Sequence, residues 1–105
     1  MHLEIYKTAY SVCIEFYKLI QKYPKEEIYG LVSQMRRAAV SIPSNISEGY
    51  KRNSKKEFEH FLYISLGSIG ELETQIKISK DLEYILKNEC ENIIEKLNSL
   101  EEMIH

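Results

Sequence analysis

A chain of 105 residues, 44% hydrophobic and 29% charged, is too short for two cores and too apolar to stay disordered, so residues 1–105 form one domain. Its 14 basic and 16 acidic residues leave a formal charge of −2, which excludes a uniformly basic protein that coats nucleic acid by charge alone. Two cysteines, Cys13 and Cys90, are too few for a disulfide scaffold and lack the paired spacing of a zinc site; with no signal or transit peptide in MHLEIYKTAY and no apolar run near the roughly 20 residues of a membrane span, a soluble cytoplasmic protein is expected.

The strings between four glycines and two prolines show helical rather than alternating periodicity, which predicts an all-α chain. The first helix is expected from Leu3 to Lys22, with Tyr6, Ala9, Cys13, Phe16, Tyr17 and Ile20 on one face, and Pro24 ends it. The second begins near Glu26, where two acids suit the positive end of the helix dipole, and carries Ile28, Leu31, Val32, Met35, Ala38, Ala39, Ile42, Ile46 and Gly49. Pro43 interrupts this stripe, yet Ile46 and Gly49 keep its phase, so a helix kinked at Pro43 and continuing to about Gly49 is expected. Asn45 and Glu48 lie one turn apart where they could satisfy backbone groups freed by the proline.

Gly49 to Asn53 reads as a turn, and Ser54 with Glu57 as a capping box opening a third helix to Lys80 through Phe58, Phe61, Leu62, Ser65, Ile69, Leu72, Ile76 and Ser79. After a connection over Asp81 to Lys87, a fourth helix is expected from Asn88 to Ile104. It carries Cys90, Ile93, Ile94, Leu97, Leu100 and Ile104, with Asn88 and Glu91 as its cap. Short connections between four such helices predict an antiparallel up-down-up-down four-helix bundle.

Two outer faces lack the charges that a wet helix carries. Ala38 to Ser47 is ten residues without a charge, and away from the apolar stripe lie Ser33, Arg37, Val40, Ser44 and Ser47. Opposite Phe58 and Leu62 on the third helix lie Tyr63, Gly67, Gly70, Thr74 and Ile78. Small residues let another helix approach closely, so Val40, Ser44, Tyr63, Gly67, Gly70 and Thr74 are candidates for a homo-oligomer interface; the alternative is that the monomer itself covers these faces.

The charge is unevenly distributed: residues 1–34 are neutral, residues 35–56 carry +5 and residues 57–105 carry −7. Lys51, Arg52, Lys55 and Lys56 crowd one turn beside Tyr50, a combination suited to a phosphate backbone with a stacked base, or to a merely solvated turn. A hairpin turning near Arg52 sets Val32 against Glu71 and Arg36 against Gly67. Arg36 or Arg37 can then reach Glu71 of the same chain or a neighbouring one and form a structural ion pair that fixes register.

Enzymatic and metal chemistry find little support. Glu57 and His60 have the Glu-x-x-His spacing of di-iron bundles, but no second copy exists and both fall outside the apolar stripe. Arg52-Asn53 precedes His60 by too many residues for the motif of helical HEPN ribonucleases. Cys13 and Cys90 lie on core faces without an activating base, and no glycine-rich phosphate loop is present. No catalytic residue, cofactor or metal is expected.

The string SQMRRAAVSIPSNISEGY over residues 33–50, followed by FLYISLGS at 61–68 and ELETQ at 71–75, closely resembles the bacterial four-helix-bundle family named for proteins encoded in 23S rRNA intervening sequences. The resemblance runs from Tyr6 to Tyr84. It implies an antiparallel four-helix bundle that assembles into a homopentameric ring. It also implies kinship with the accessory variability determinant of diversity-generating retroelements, a basic ring that binds nucleic acid and a reverse transcriptase. The expected function is therefore a non-enzymatic oligomeric adaptor associated with RNA or a nucleic-acid enzyme, contacting phosphates through Lys51, Arg52, Lys55 and Lys56. The alternative is a protein-interaction scaffold that touches no nucleic acid.

Overall fold

A computed structural model describes residues 2–105 and contains four helices: α1 (His2–Leu19), α2 (Leu31–Lys51), α3 (Lys55–Asp81) and α4 (Lys87–Ile104). No strand occurs among the described residues. Each helix packs against the next, and α1 also packs on α4, which closes the all-α four-helix bundle. At about 1.5 Å per residue the 27 residues of α3 span the long dimension of a molecule measuring 43 × 25 × 18 Å.

The core is contributed by the stripes expected from periodicity. Ala9, Cys13, Phe16 and Ile20 meet Val32, Met35, Ile42 and Ile46, and these meet Ile69, Leu72, Ile76, Leu97 and Leu100 in one cluster. Val12, Tyr23 and Ile85 belong to it as well. Tyr23 and Ile85 sit in connections rather than helices, so no helical phase announced them. Tyr17, expected inside, lies at the surface, where the Arg36 guanidinium sits 5.7 Å from its ring centroid.

The largest departure from expectation is the start of α2. Residues 25–27 form a 3-10 turn, Gly30 adopts φ −108° and ψ −110°, and the α-helix begins at Leu31 rather than near Glu26. The two acids do not ride on the helix dipole as assumed. Instead Glu27 folds forward, and its Oε1 accepts the Leu31 N–H at 3.1 Å. Ile28, counted in the apolar stripe, is therefore 47% exposed, and Tyr29 is 95% exposed. The start of α4 also uses a glutamate, but one inside the helix that reaches back. Its cap is Glu89, which accepts the Leu86 N–H at 2.8 Å, and not the pair Asn88 and Glu91.

Both carboxylates also tie the two connections at this end of the bundle together. Glu27 Oε2 accepts the Tyr84 hydroxyl at 2.8 Å, Glu89 pairs with the Lys22 ammonium, and the Tyr23 and Tyr84 rings pack at 5.3 Å. The Leu31 amide and then the Tyr84 hydroxyl hold Glu27 below its ordinary carboxylate range; the Leu86 amide and then Lys22 do the same for Glu89. Because both folded-state values are depressed, their stabilising contribution is complete above the unfolded range near 4 and disappears as pH falls through the lower folded values. The melting temperature is expected to fall between pH 6 and pH 3. A Glu27→Gln, Glu89→Gln variant, melted in parallel by circular dichroism, should start lower at pH 6 and lose less on acidification; an equal loss in both proteins contradicts the assignment.

α2 passes through Pro43 without a break. Proline supplies no N–H for the carbonyl one turn back, and polar side chains gather around the site. Asn45 Nδ2 donates to the Ser41 carbonyl at 2.7 Å and to Ser41 Oγ at 2.8 Å, Ser41 Oγ contacts Ser68 Oγ at 2.9 Å, and buried Ser65 donates to the Ile42 carbonyl at 3.1 Å. Asn45 thus bonds the Ser41 carbonyl and not the Ala39 carbonyl that Pro43 leaves without a donor, and Glu48 turns away to Arg52, so neither serves the freed group as expected. These serine contacts set the α2–α3 register about one turn from the expected one, because α2 runs on to Lys51 and moves the turn forward.

Candidate nucleic-acid interface at the hairpin tip

The register ends α4 below the tip of the central hairpin. Cys90 lies against the Ile76 carbonyl, so antiparallel counting brings Ile104 level with Leu62, while Tyr6 and Tyr10 share a groove with Ser44, Ser47 and Glu48. The first two turns of α3 therefore extend roughly 10 Å past the end of α4, at 1.5 Å per residue, whereas α1, whose Tyr17 lies level with Arg36, runs up to the last turn of α2. Gly49 lets α2 and α3 approach closely here: it is buried, and a β-carbon there would stand 2.7 Å from Phe61 Cβ and 3.2 Å from Phe58 Cδ1. Phe58 and Phe61, half-buried, close over the glycine outside the main core.

The turn is built as the sequence indicates, with a refinement. Asn53 takes the left-handed conformation at φ 58°, for which asparagine is among the better-suited residues, and Ser54 Oγ caps α3 by accepting the Glu57 N–H at 3.3 Å. Glu57 does not complete a capping box; its carboxylate lies 3.9 Å from Arg52.

All four basic residues of the turn are exposed, but they differ in what they touch. Arg52 bridges Glu48 at 3.0 Å and lies 5.3 Å from the Phe61 ring centroid, so its charge is largely spent inside the tip. Among the described residues, Lys51, Lys55 and Lys56 have no carboxylate within ion-pair distance. Tyr50, 60% exposed, stands beside them. Tyr50, Asn53, Lys55, Phe58, Glu59 and Leu62 line a groove of about 650 Å³ at the same place. Periodicity missed this groove, since it arises only where α2 and α3 meet beside their turn; the spacing of Lys55, Phe58, Glu59 and Leu62 along one face of α3 was its only trace.

Arg36 and Arg37 part company. Arg36 stacks over Tyr17, whereas Arg37 lines a smaller groove of about 260 Å³ with Gln34, Ser41, Ser68 and Glu71. No ion pair joins either arginine to Glu71 within the chain, so an ionic lock of the register is absent here and serine hydrogen bonds hold the helices instead. The small-residue faces are bare: Val40, Ser44, Tyr63 and Thr74 are exposed, Tyr63 by 74%, and nothing stands within 4 Å of a β-carbon placed on Gly67 or Gly70. Glu57 and His60 are exposed, and among the described residues no cluster of three or more His, Cys, Asp or Glu could hold a metal ion. Cys13 and Cys90 are buried free thiols, and burial pushes Cys13 up from its ordinary range. Among the described residues no helix is long and apolar enough to cross a membrane.

Fold and tip together define an antiparallel four-helix bundle with a projecting basic hairpin. The sequence matches the model of the 23S rRNA-intervening sequence protein family over residues 1–105, and the chain belongs to that family. The fold is similar to a crystal structure of a protein of unknown function from the S23 ribosomal protein family of Bacteroides thetaiotaomicron, with a TM-score of 0.89 at 20% identity, covering 98% of this chain and 93% of that one. No curated protein matches the sequence.

Proposed function

We propose that the protein is a non-enzymatic, self-associating adaptor that binds RNA through the tip of its α2–α3 hairpin. The observation that carries the reading is the set of three lysines, Lys51, Lys55 and Lys56, exposed at the hairpin tip with no carboxylate partner among the described residues. Unpaired ammonium groups on a convex tip can each displace a counterion from a phosphate backbone, whereas Arg52, held by Glu48 and Phe61, mainly stiffens the turn. The net −7 carried by residues 57–105 confines a polyanion to this end of the molecule. The bare faces around Val40, Ser44, Gly67 and Gly70 favour assembly with further copies, for which the family resemblance suggests a pentameric ring; such a ring would multiply the tips on one assembly.

Replacing Lys51, Lys55 and Lys56 by glutamine should weaken binding to a ribosomal RNA fragment more than ten-fold at about 0.1 M salt and flatten the salt dependence by nearly three counterions. Light scattering should report the same oligomer before and after the change. Unchanged RNA affinity rejects the reading in favour of a scaffold that recruits protein partners alone, and a monomer at micromolar concentration removes the self-association.

A further inference from the structure

We propose that the groove beneath Tyr50 receives an unpaired base, so that the tip selects single-stranded RNA over duplex; this rests on the phosphate-binding role of the same lysines. The groove has the chemistry of a base site rather than of a phosphate site. Its lining combines the apolar Phe58 and Leu62 and the exposed ring of Tyr50 with hydrogen-bonding groups from Asn53 and Glu59. A carboxylate at Glu59 repels a phosphate but accepts a hydrogen bond from the exocyclic amino group of a base. The volume of about 650 Å³ falls in the usual range of small-ligand sites, and stacking on an aromatic wall tolerates any base.

Lys55 lines the groove itself, and Lys51 and Lys56 are the chain neighbours of the lining residues Tyr50 and Lys55, so cations for a ribose-phosphate backbone stand next to the apolar lining. An apolar helix from a partner protein would strand these three charges without a counter-charge, and a base-paired duplex keeps its bases stacked and out of reach. A single strand satisfies both parts of the site.

The test compares a ~12-nucleotide oligocytidine strand with an RNA duplex of equal length, by fluorescence anisotropy at about 0.1 M salt. The wild-type chain should bind the strand at least about ten-fold more tightly. Tyr50→Ala should remove that preference, costing about ten-fold on the strand, the order expected for one base–aromatic stack, and less than two-fold on the duplex. The exposed position of Tyr50 leaves folding intact, which circular dichroism checks. Equal affinity for strand and duplex, an unaltered strand affinity in Tyr50→Ala, or an equal loss on both RNAs overturns the base site while leaving phosphate binding in place. Absence of binding to either RNA overturns both.

Discussion

Phe16→Ala should remove more stability than any other single truncation in α1, lowering the unfolding free energy by about 3–5 kcal/mol. Phe16 is fully buried and is the largest side chain that α1 places in the core, where its ring adjoins a cluster drawn from all four helices. Domains of this size are stable by roughly 5–15 kcal/mol, so the loss is a large share of the total. It corresponds to a melting point lower by about 15–30 °C. Tyr17→Ala, one position along the same helix, provides the control. Tyr17 is surface-exposed and contributes chiefly its contact with Arg36, worth about 0.5–1 kcal/mol. Comparable losses from the two substitutions would mean that the face of α1 has been assigned wrongly.

Gly49→Ala is the second large effect, and its sign opposes helix propensity. Alanine in a helix is favoured over glycine by up to about 1 kcal/mol. Here, however, the new methyl group would lie 2.7 Å from Phe61 Cβ, an atom fixed to the backbone of α3, so the two helices must separate. Overpacking of this kind costs about 1–3 kcal/mol, which exceeds the propensity gain. The variant should therefore melt lower than wild type. Phe61→Ala should not rescue it, because the offending β-carbon remains. Gly67→Ala and Gly70→Ala meet nothing within 4 Å and should each stabilise the isolated chain by close to the full propensity difference. A stabilised Gly49→Ala would show that the helices diverge without a close approach there.

The two outcomes concern different parts of the same bundle. Stripes such as Val32, Met35, Ala39, Ile42 and Ile46 were legible because a helix shows its buried face at a period of 3.6 residues whatever lies opposite. The passage through Pro43 was legible for the same reason, since Ile46 and Gly49 stayed in phase. The start of α2 was not, because an acid near a helix start reads alike whether it faces the dipole or folds forward to cap a helix four residues on. Tyr23 and Ile85 were missed because burial in a connection depends on the chain that crosses over it.

For the candidate site the division is similar. The lysines, Arg52 and Tyr50 were visible as a cluster around a turn, but a string of basic residues does not say which of them are already paired. Glu48 and Glu57 take Arg52, and Lys51, Lys55 and Lys56 are left over. The expected lock between Arg36 or Arg37 and Glu71 is not made within the chain: Arg36 stacks on Tyr17, and Arg37 shares a groove with Glu71 without an ion pair.

Periodicity and turn chemistry by themselves determined that the chain is a four-helix bundle, which faces are buried, and where the basic turn falls, because these follow from local backbone geometry. Only the tertiary structure decided how far the hairpin projects, which cations remain unpaired and that a groove opens beside Tyr50. Those features depend on the relative lengths and register of helices far apart in sequence, and they fix where the −2 of the whole chain becomes a positive tip.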